Sequence, residues 1–487
     1  MTYTLTQRIG LLLGPALFVL CLAFFHPADL SPTGVAVLGA TLWIATWWIT
    51  EAIPIEATSL LPCLLFPLTE ALGLKATTQA YGHPMVFLYL GGFIIALSIE
   101  RWNLHRRIAL HVIARMGTDA PRLILGFMVA TALLSMWISN TATALMMLPI
   151  GMAIVRQLAT DRGEATDTAS LATPFAKALL LGIAYAASIG GMATLIGTPP
   201  NLVFAAVVED QLGIGISFMQ WFIFGFPFAA ALLLITWWVL TRVSFRLRSA
   251  ATPGGQAAIA AQLRALGPMR IEERRVLAIF ALTGIAWITR SFLLEKLLPG
   301  IDDTLIGLMG ALLLFLIPAR SEPGSRLMQW QHTLRLPWGI LLLFGGGLAI
   351  AQGFETSGLA TWIGGRLQLL DGVSLLLIIL LVATLVNFLT EVTSNLATAT
   401  MILPILAALA TGMGVHPFSL MVPAILASSC AFMLPVATPP NAIVFGSELI
   451  GMRDMVRAGI LLNLLSILLI TAFVQALPWL WGISFGR

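Results

Sequence analysis

Two stretches of the chain read almost the same, SNTATALMMLPI at 139–150 and SNLATATMILPI at 394–405. Each sets hydroxyls and a carboxamide inside an apolar run. Asn carries both donor and acceptor atoms, and Ser and Thr hydroxyls rotate to either role. A second pair also repeats, IGTPPNLVF at 196–204 and VATPPNAIVF at 436–445. Pro has no N–H, so Pro-Pro ends the preceding helix and releases the carbonyls of Gly197 and Ala437. Free carbonyls with hydroxyls are hard oxygen ligands suited to Na⁺. The sequence around Asn140 and Asn395 leaves helix N-terminal N–H groups free, and these attract anions. No Lys or Arg occurs in any of the four motifs. An anion held there must be balanced by helix dipoles and bound cations, which makes its binding conditional on the cation. That is the chemistry of symport.

The elements that position these groups follow from composition. The chain has 487 residues, 59% hydrophobic and 10% charged, with a mean hydropathy of +0.95. Soluble domains carry about 25% charged residues, so this is a polytopic, all-α membrane protein. Spans of about 20 residues are expected at 9–25, 33–50, 53–70, 84–101, 173–208, 218–241, 276–295, 303–319, 337–353, 418–446 and 456–482. The run after Arg8 has no small-x-small cleavage site before His26-Pro27 and reads as a retained first span. The net charge of +4 sits in loops and is no sign of nucleic acid. Three cysteines without a CxxC pair and six scattered histidines give no transition-metal site. No GxSG nucleophile, His dyad or paired Asp appears in the spans, which argues against an enzyme.

Segments 122–152 and 374–410 are too long for one span and are interrupted by polar residues. With the N-terminus inside, most of the 26 Lys and Arg fall on the inner side, provided both segments return to the side they entered. They are therefore read as re-entrant hairpins, the first from the cytoplasm and the second from outside, with the C-terminus outside. In hydrocarbon an unsatisfied backbone group costs several kcal/mol, so such tips must line a protein cavity or coordinate a ligand.

The doubling extends further. LGGFIIA at 90–96 matches GGGLAIA at 345–351 at the same separation that relates Ser139 to Ser394, and the TPPN stretches follow in the same order. The shorter TPPN separation fits a longer first-copy loop around DRGEATDTASLATPF. Five spans lie between the starts of the copies, near 84 and 337, so the copies face opposite ways. Inverted repeats with interrupted helices mark a secondary transporter whose site lies at the pseudo-symmetry axis. The basic 242–275 segment, with ATPGGQAAIAAQ at its centre, is the expected linker between halves.

Paired SNT-type tips with paired TPPN breaks resemble the divalent anion:sodium symporter family, carriers of succinate, malate, fumarate, citrate or sulfate, over nearly the whole chain. The resemblance implies eleven membrane helices with two opposed hairpins, a homodimer in the cell's inner (plasma) membrane, and an elevator motion. The fixed scaffold is expected at 1–121 and 246–365, and the moving transport domain at 122–245 and 366–487. It further implies one Na⁺ site from Ser135, Ser139, Asn140 and the Gly197 carbonyl, and a second from Thr390, Ser394, Asn395 and the Ala437 carbonyl. Substrate carboxylates would meet Asn140 and Thr141 on one side, and Ser394, Asn395, Thr438 and Pro439 on the other. The reading is Na⁺-coupled symport of a C4 dicarboxylate. The alternatives are a sulfate or citrate carrier or a sodium-independent exchanger, and, from another class, an anion channel.

One position departs from the pattern. Leu396 stands where the family usually has Thr, which puts the substrate's identity in question. Glu391 is open to two readings, a brace for the hairpin or a neighbour of the cation site. Glu51 and Glu56 are expected at the membrane boundary.

Overall fold

A computed structural model describes residues 3–117, 119–161, 167–247, 253–366 and 373–482. Among these the secondary structure is helical, apart from an isolated bridge between Pro318 and Arg326. Ten helices are long and apolar enough to cross a membrane.

The chain opens with α1 (Leu5–Phe24), α2 (Pro32–Thr50), the short α3 (Ile55–Thr58) and α4 (Leu61–Leu68), and α5 (Leu74–Gln79). The first repeat runs through α6 (Pro84–Arg101), α7 (Leu104–Arg115), α8 (Ala120–Ser135), α9 (Asn140–Asp161), α10 (Thr168–Leu171), α11 (Pro174–Gly191), α12 (Pro199–Leu212) and α13 (Phe218–Trp238). Then come α14 (Pro253–Ala265), α15 (Ile271–Thr289), α16 (Glu295–Leu297) and α17 (Asp303–Leu316). The second repeat is α18 (Trp338–Thr356), α19 (Leu359–Arg366), α20 (Leu375–Leu389), α21 (Asn395–Gly412), α22 (Phe418–Ser428), α23 (Pro439–Phe445) and α24 (Met452–Val474), with α25 (Leu477–Trp481) after it.

The copies correspond helix by helix. Each has a long entry helix (α6, α18), a short one (α7, α19), a hairpin (α8–α9, α20–α21), a broken helix (α11–α12, α22–α23) and a closing helix (α13, α24). Their inversion can be read from contacts at one end of α12. There His83, just before α6, meets Asp210 at 3.2 Å, and Gln211 donates to the Ala351 carbonyl, late in α18. The start of α6 and the last third of α18 thus lie together, so these two helices run in opposite directions.

Packing runs through the whole molecule, since α18 and α19 lie against α21, α18 against α12 and α7 against α8. α1 and α2 pack together, α17 packs on α6 and α15, and α18 rests on α2, α3 and α4. The hairpins and broken helices pack among themselves, α8 and α9 on α11, α20 and α21 on α22, and α12 on α21. Backbones approach closely where small residues allow it. A Cβ on Gly91 would come within 2.8 Å of the Gly307 backbone, so the α6–α17 contact requires glycine there. Outside the membrane spans, Asp29 accepts from the Trp362 indole and the Arg366 guanidinium. Those bonds, the indole's first, hold its carboxyl below the ordinary carboxylate range.

Several expected spans differ in detail. The 173–208 and 418–446 runs are each two helices separated by unwound turns, because Pro-Pro removes the N–H groups that would continue the ladder. Segment 53–70 is likewise two short helices. The short α7 and α19 fall outside the expected spans. α7 (LHRRIALHVIAR) is amphipathic, and its charges hide it from a hydropathy window. The 242–275 segment contains α14, which packs on both α7 and α9. Residues 162–166 of the longer first-copy loop, 248–252 of the linker segment, and 367–372, beside the expected boundary at 365/366, lie outside the described residues.

Candidate functional site

The hairpin turns at 136–139 and 390–394 bring the starts of α9 and α21 to one cavity of about 500 Å³. The starts of α12 and α23 reach the same cavity from the broken helices. Ser139, Asn140, Thr141 and Gly197 line it on one side, and Ser394, Asn395, Ala437, Thr438 and Pro439 on the other. Trp48, Tyr89 and Leu343, from α2, α6 and α18, complete the wall. The cavity therefore lies between the hairpin and broken-helix tips on one side and α2, α6 and α18 on the other. Among the described residues no Lys or Arg lines it, whereas Glu51 and Glu56 do. Glu51, Ile55 and Glu56 also border a second hollow with Tyr3 and Gln7, so the cavity leads toward the N-terminal segment.

Ser135 and Thr390 sit behind the tips, fully buried, and each ties its tip to a broken helix. The Ser135 hydroxyl lies 2.6 Å from both Asn140 Oδ1 and the Ala187 carbonyl. The Thr390 hydroxyl lies 2.7 Å from Asn395 Oδ1 and 2.8 Å from the Ser428 carbonyl. Each cluster gathers three oxygens around a single hydroxyl proton, an electron-rich arrangement that a cation relieves. Gly197 approaches the first cluster, since a Cβ on Gly191 would lie 2.7 Å from Asn140 Oδ1 and 3.1 Å from the Gly197 carbonyl oxygen. Ser139 caps its own tip by accepting from the Ala142 N–H.

The breaks adopt the same backbone in both repeats. Thr198 has φ −143°, ψ 141° and Thr438 has φ −143°, ψ 148°. After Pro-Pro, the Asn201 N–H turns to the Thr198 carbonyl and the Asn441 N–H to the Thr438 hydroxyl. No hydrogen-bond donor among the described residues reaches the Gly197 or Ala437 carbonyl.

Glu391 is a brace. It is 3% exposed, and its carboxylate accepts from the Phe432, Met433 and Leu434 N–H groups and the Asn463 carboxamide at 2.7–3.0 Å. It thereby fixes the unwound turn between α22 and α23. Leu396 is 6% exposed and lines the cavity at the position equivalent to Thr141.

Sequence reasoning missed some of this. Thr198 lines the cavity and is the repeat partner of Thr438, so the duplication itself pointed to it. The Ala187 and Ser428 carbonyls had no signal, because a main-chain oxygen is independent of the side chain it belongs to.

Over residues 5–484 the chain matches the family described as sodium:sulfate symporter transmembrane region. The chain belongs to this family. Membership makes it a membrane transporter and not an enzyme. Two relatives of this chain carry the name sodium-dependent dicarboxylate transporter SdcS. The one from Staphylococcus saprophyticus is 49% identical over 99% of this chain and 94% of its own length. The one from Staphylococcus aureus USA300 is 50% identical over 99% of this chain and 93% of its own. Among solved structures the fold is similar to MtrF of Neisseria gonorrhoeae, with a TM-score of 0.60 at 11% identity, covering 99% of this chain and 96% of that one. It is also similar to the YdaH transporter of Alcanivorax borkumensis, again with a TM-score of 0.60, at 15% identity, covering 92% of this chain and all of that one.

Proposed function

We propose that this transporter couples inward movement of Na⁺ to import of a C4 dicarboxylate such as succinate, malate or fumarate across the plasma membrane. The observation that carries the reading is the cavity, fed by helix starts from both repeats and, among the described residues, lined by no Lys or Arg. The N-termini of α9, α12, α21 and the short α23 each contribute at most about half a positive charge, which fades within a turn, and Glu51 and Glu56 on the same wall oppose it, so a dianion there is not balanced without bound cations. Na⁺ supplies the rest. A first ion is held by Ser135, Ser139, Asn140 and the Gly197 carbonyl, and a second by Thr390, Ser394, Asn395 and the Ala437 carbonyl. The Ala187 and Ser428 carbonyls join the respective sites. Asn140 and Thr141 receive one carboxylate of the substrate, and Ser394, Asn395, Thr438 and Pro439 the other. The names of the staphylococcal relatives support a dicarboxylate over sulfate or citrate.

The protein works as a homodimer. Its scaffold comprises 1–121 and 246–365, and its transport domain, 122–245 with 366–487, moves as an elevator. The apolar α1, only 17% buried within the chain, supports a lipid or partner contact on the scaffold side. The N-terminus is cytoplasmic and the C-terminus external, as the basic residues require. The cavity then leads to the cytoplasm, and the conformation is inward-facing.

The test is uptake of labelled succinate into proteoliposomes with and without a Na⁺ gradient, with citrate and sulfate as competitors. Saturable, Na⁺-dependent succinate uptake is the expected result. Gradient-independent, non-saturating flux would favour a channel, and uptake of sulfate alone would replace the substrate.

A further inference from the structure

The asparagines that end the two TPPN stretches have no role in the site as described so far. Both are fully buried. The Asn201 Nδ2 donates to the Gly191 carbonyl at 3.3 Å and to the Thr194 carbonyl at 2.8 Å. The Asn441 Nδ2 donates to the Ala431 and Leu434 carbonyls, both at 3.0 Å. The two pairs of acceptors, 191 and 194 in one repeat and 431 and 434 in the other, occupy equivalent places, at the same separation as the TPPN stretches. Each side chain leaves its Oδ1 buried without a partner. An orphaned buried acceptor costs about 1–3 kcal/mol. Both copies nevertheless hold this arrangement, whereas their other braces differ.

The unwound turns of 192–198 and 429–438 release several carbonyls, and loose carbonyls would compete for any cation that enters. In the first turn Asn201 takes those of Gly191 and Thr194, and the Trp221 indole takes that of Met192. The Gly197 carbonyl is left without a donor. Asn441 does the same for the second turn and leaves the Ala437 carbonyl free. The Gly191 backbone that Asn201 holds is also the point where the Asn140 carboxamide and the Gly197 carbonyl converge.

We infer that Asn201 and Asn441 are positioning residues, one for each Na⁺ site. Each carboxamide ties down two carbonyls of its turn and so fixes the turn with the Gly197 or Ala437 carbonyl facing the ion. The inference rests on the Na⁺-coupled reading above and adds the residues that set each site's geometry.

Asn201→Asp and Asn441→Asp keep side-chain size but replace the donor with an oxygen. Asn201→Ser and Asn441→Ser are milder companions. Three quantities are read: the Na⁺ concentration for half-maximal succinate uptake, the ratio of Li⁺- to Na⁺-driven uptake, and Na⁺-induced thermal stabilisation of purified protein without substrate. Outer-shell changes around a metal cost about ten- to a hundredfold in affinity, so each half-saturation should rise about tenfold or more. The Li⁺/Na⁺ ratio should change, and substrate KM at saturating Na⁺ should stay near that of the unsubstituted protein. Unchanged Na⁺ half-saturation and Li⁺/Na⁺ ratio in well-folded variants would overturn the inference. So would a raised substrate KM at saturating Na⁺, or failure of both the Asp and Ser forms to fold. If uptake by the unsubstituted protein ignores Na⁺, it is the underlying coupled reading that fails.

Discussion

The two broken helices are built to one plan but braced by different chemistry. In the first, the Thr194 hydroxyl donates to the Met136 carbonyl and the Trp221 indole to the Met192 carbonyl. In the second, the residue equivalent to Met136 is Glu391, whose carboxylate collects three N–H groups of the turn and the Asn463 carboxamide. Neutral donors hold carbonyls in both copies, and in the second a buried carboxylate also holds N–H groups. The oxygen clusters at Ser135 and Thr390 stayed alike while the supports behind them diverged. Duplication thus preserved the two oxygen clusters and left the brace free to change. Charge-assisted bonds are about twice as strong as neutral ones, so the second turn should be the stiffer of the two.

The largest effect should come where the copies agree. Asn140→Ala and Asn395→Ala are each expected to abolish uptake while leaving folding and the elution profile of purified protein intact. Near-normal uptake by either variant would remove the shared cation and substrate site. Next is the brace. Glu391→Gln presents an amide to donors that need an acceptor and should cost about 3 kcal/mol, measured as loss of thermal stability. Met136→Leu should cost under about 1.5 kcal/mol, and equal losses would dissolve the asymmetry.

A link between the copies gives a smaller effect. The Tyr185 hydroxyl on α11 donates to the Phe432 carbonyl at 2.7 Å, joining the helix of the first oxygen cluster to the second turn. Tyr185→Phe keeps the volume and removes the bond, at about 1 kcal/mol. The expected sign is a lower Hill coefficient for Na⁺, and an unchanged coefficient would mean that the turns respond separately. Smallest is Leu396→Thr, which makes the second tip match the first. It should improve dicarboxylate affinity by about 0.5–1.5 kcal/mol. If no anion's KM moves, position 396 does not face the substrate.

Much of this was legible in the sequence because side-chain identity and spacing carried it. Paired SNT and TPPN stretches named the four breakpoints, and their order exposed the inverted repeat. Residues 122–152 and 374–410 were too long and too polar at their centres to be single spans. What was not legible depends on backbone path. The Ala187 and Ser428 carbonyls reach Ser135 and Thr390 through the packing of α11 and α22. Two readings of Glu391 stayed open in the sequence because its partners are main-chain N–H groups 41–43 residues away. α7 and α14 escaped notice because their polar residues resemble loop composition.

The contrast in burial between α1 and α11 also bears on the bilayer itself. α1 is 20 residues long, about 30 Å, which matches a typical hydrocarbon core, and it is only 17% buried within the chain. α11, which carries the Ala187 carbonyl, is 89% buried and has almost no lipid face. Hydrophobic mismatch is therefore felt at the periphery, where α1 can tilt in thinner or thicker membranes at a fraction of a kcal/mol per Å. The first oxygen cluster hangs on a helix that hardly touches acyl chains, so changing lipid length should alter tilt at the rim and leave that cluster's surroundings as they are.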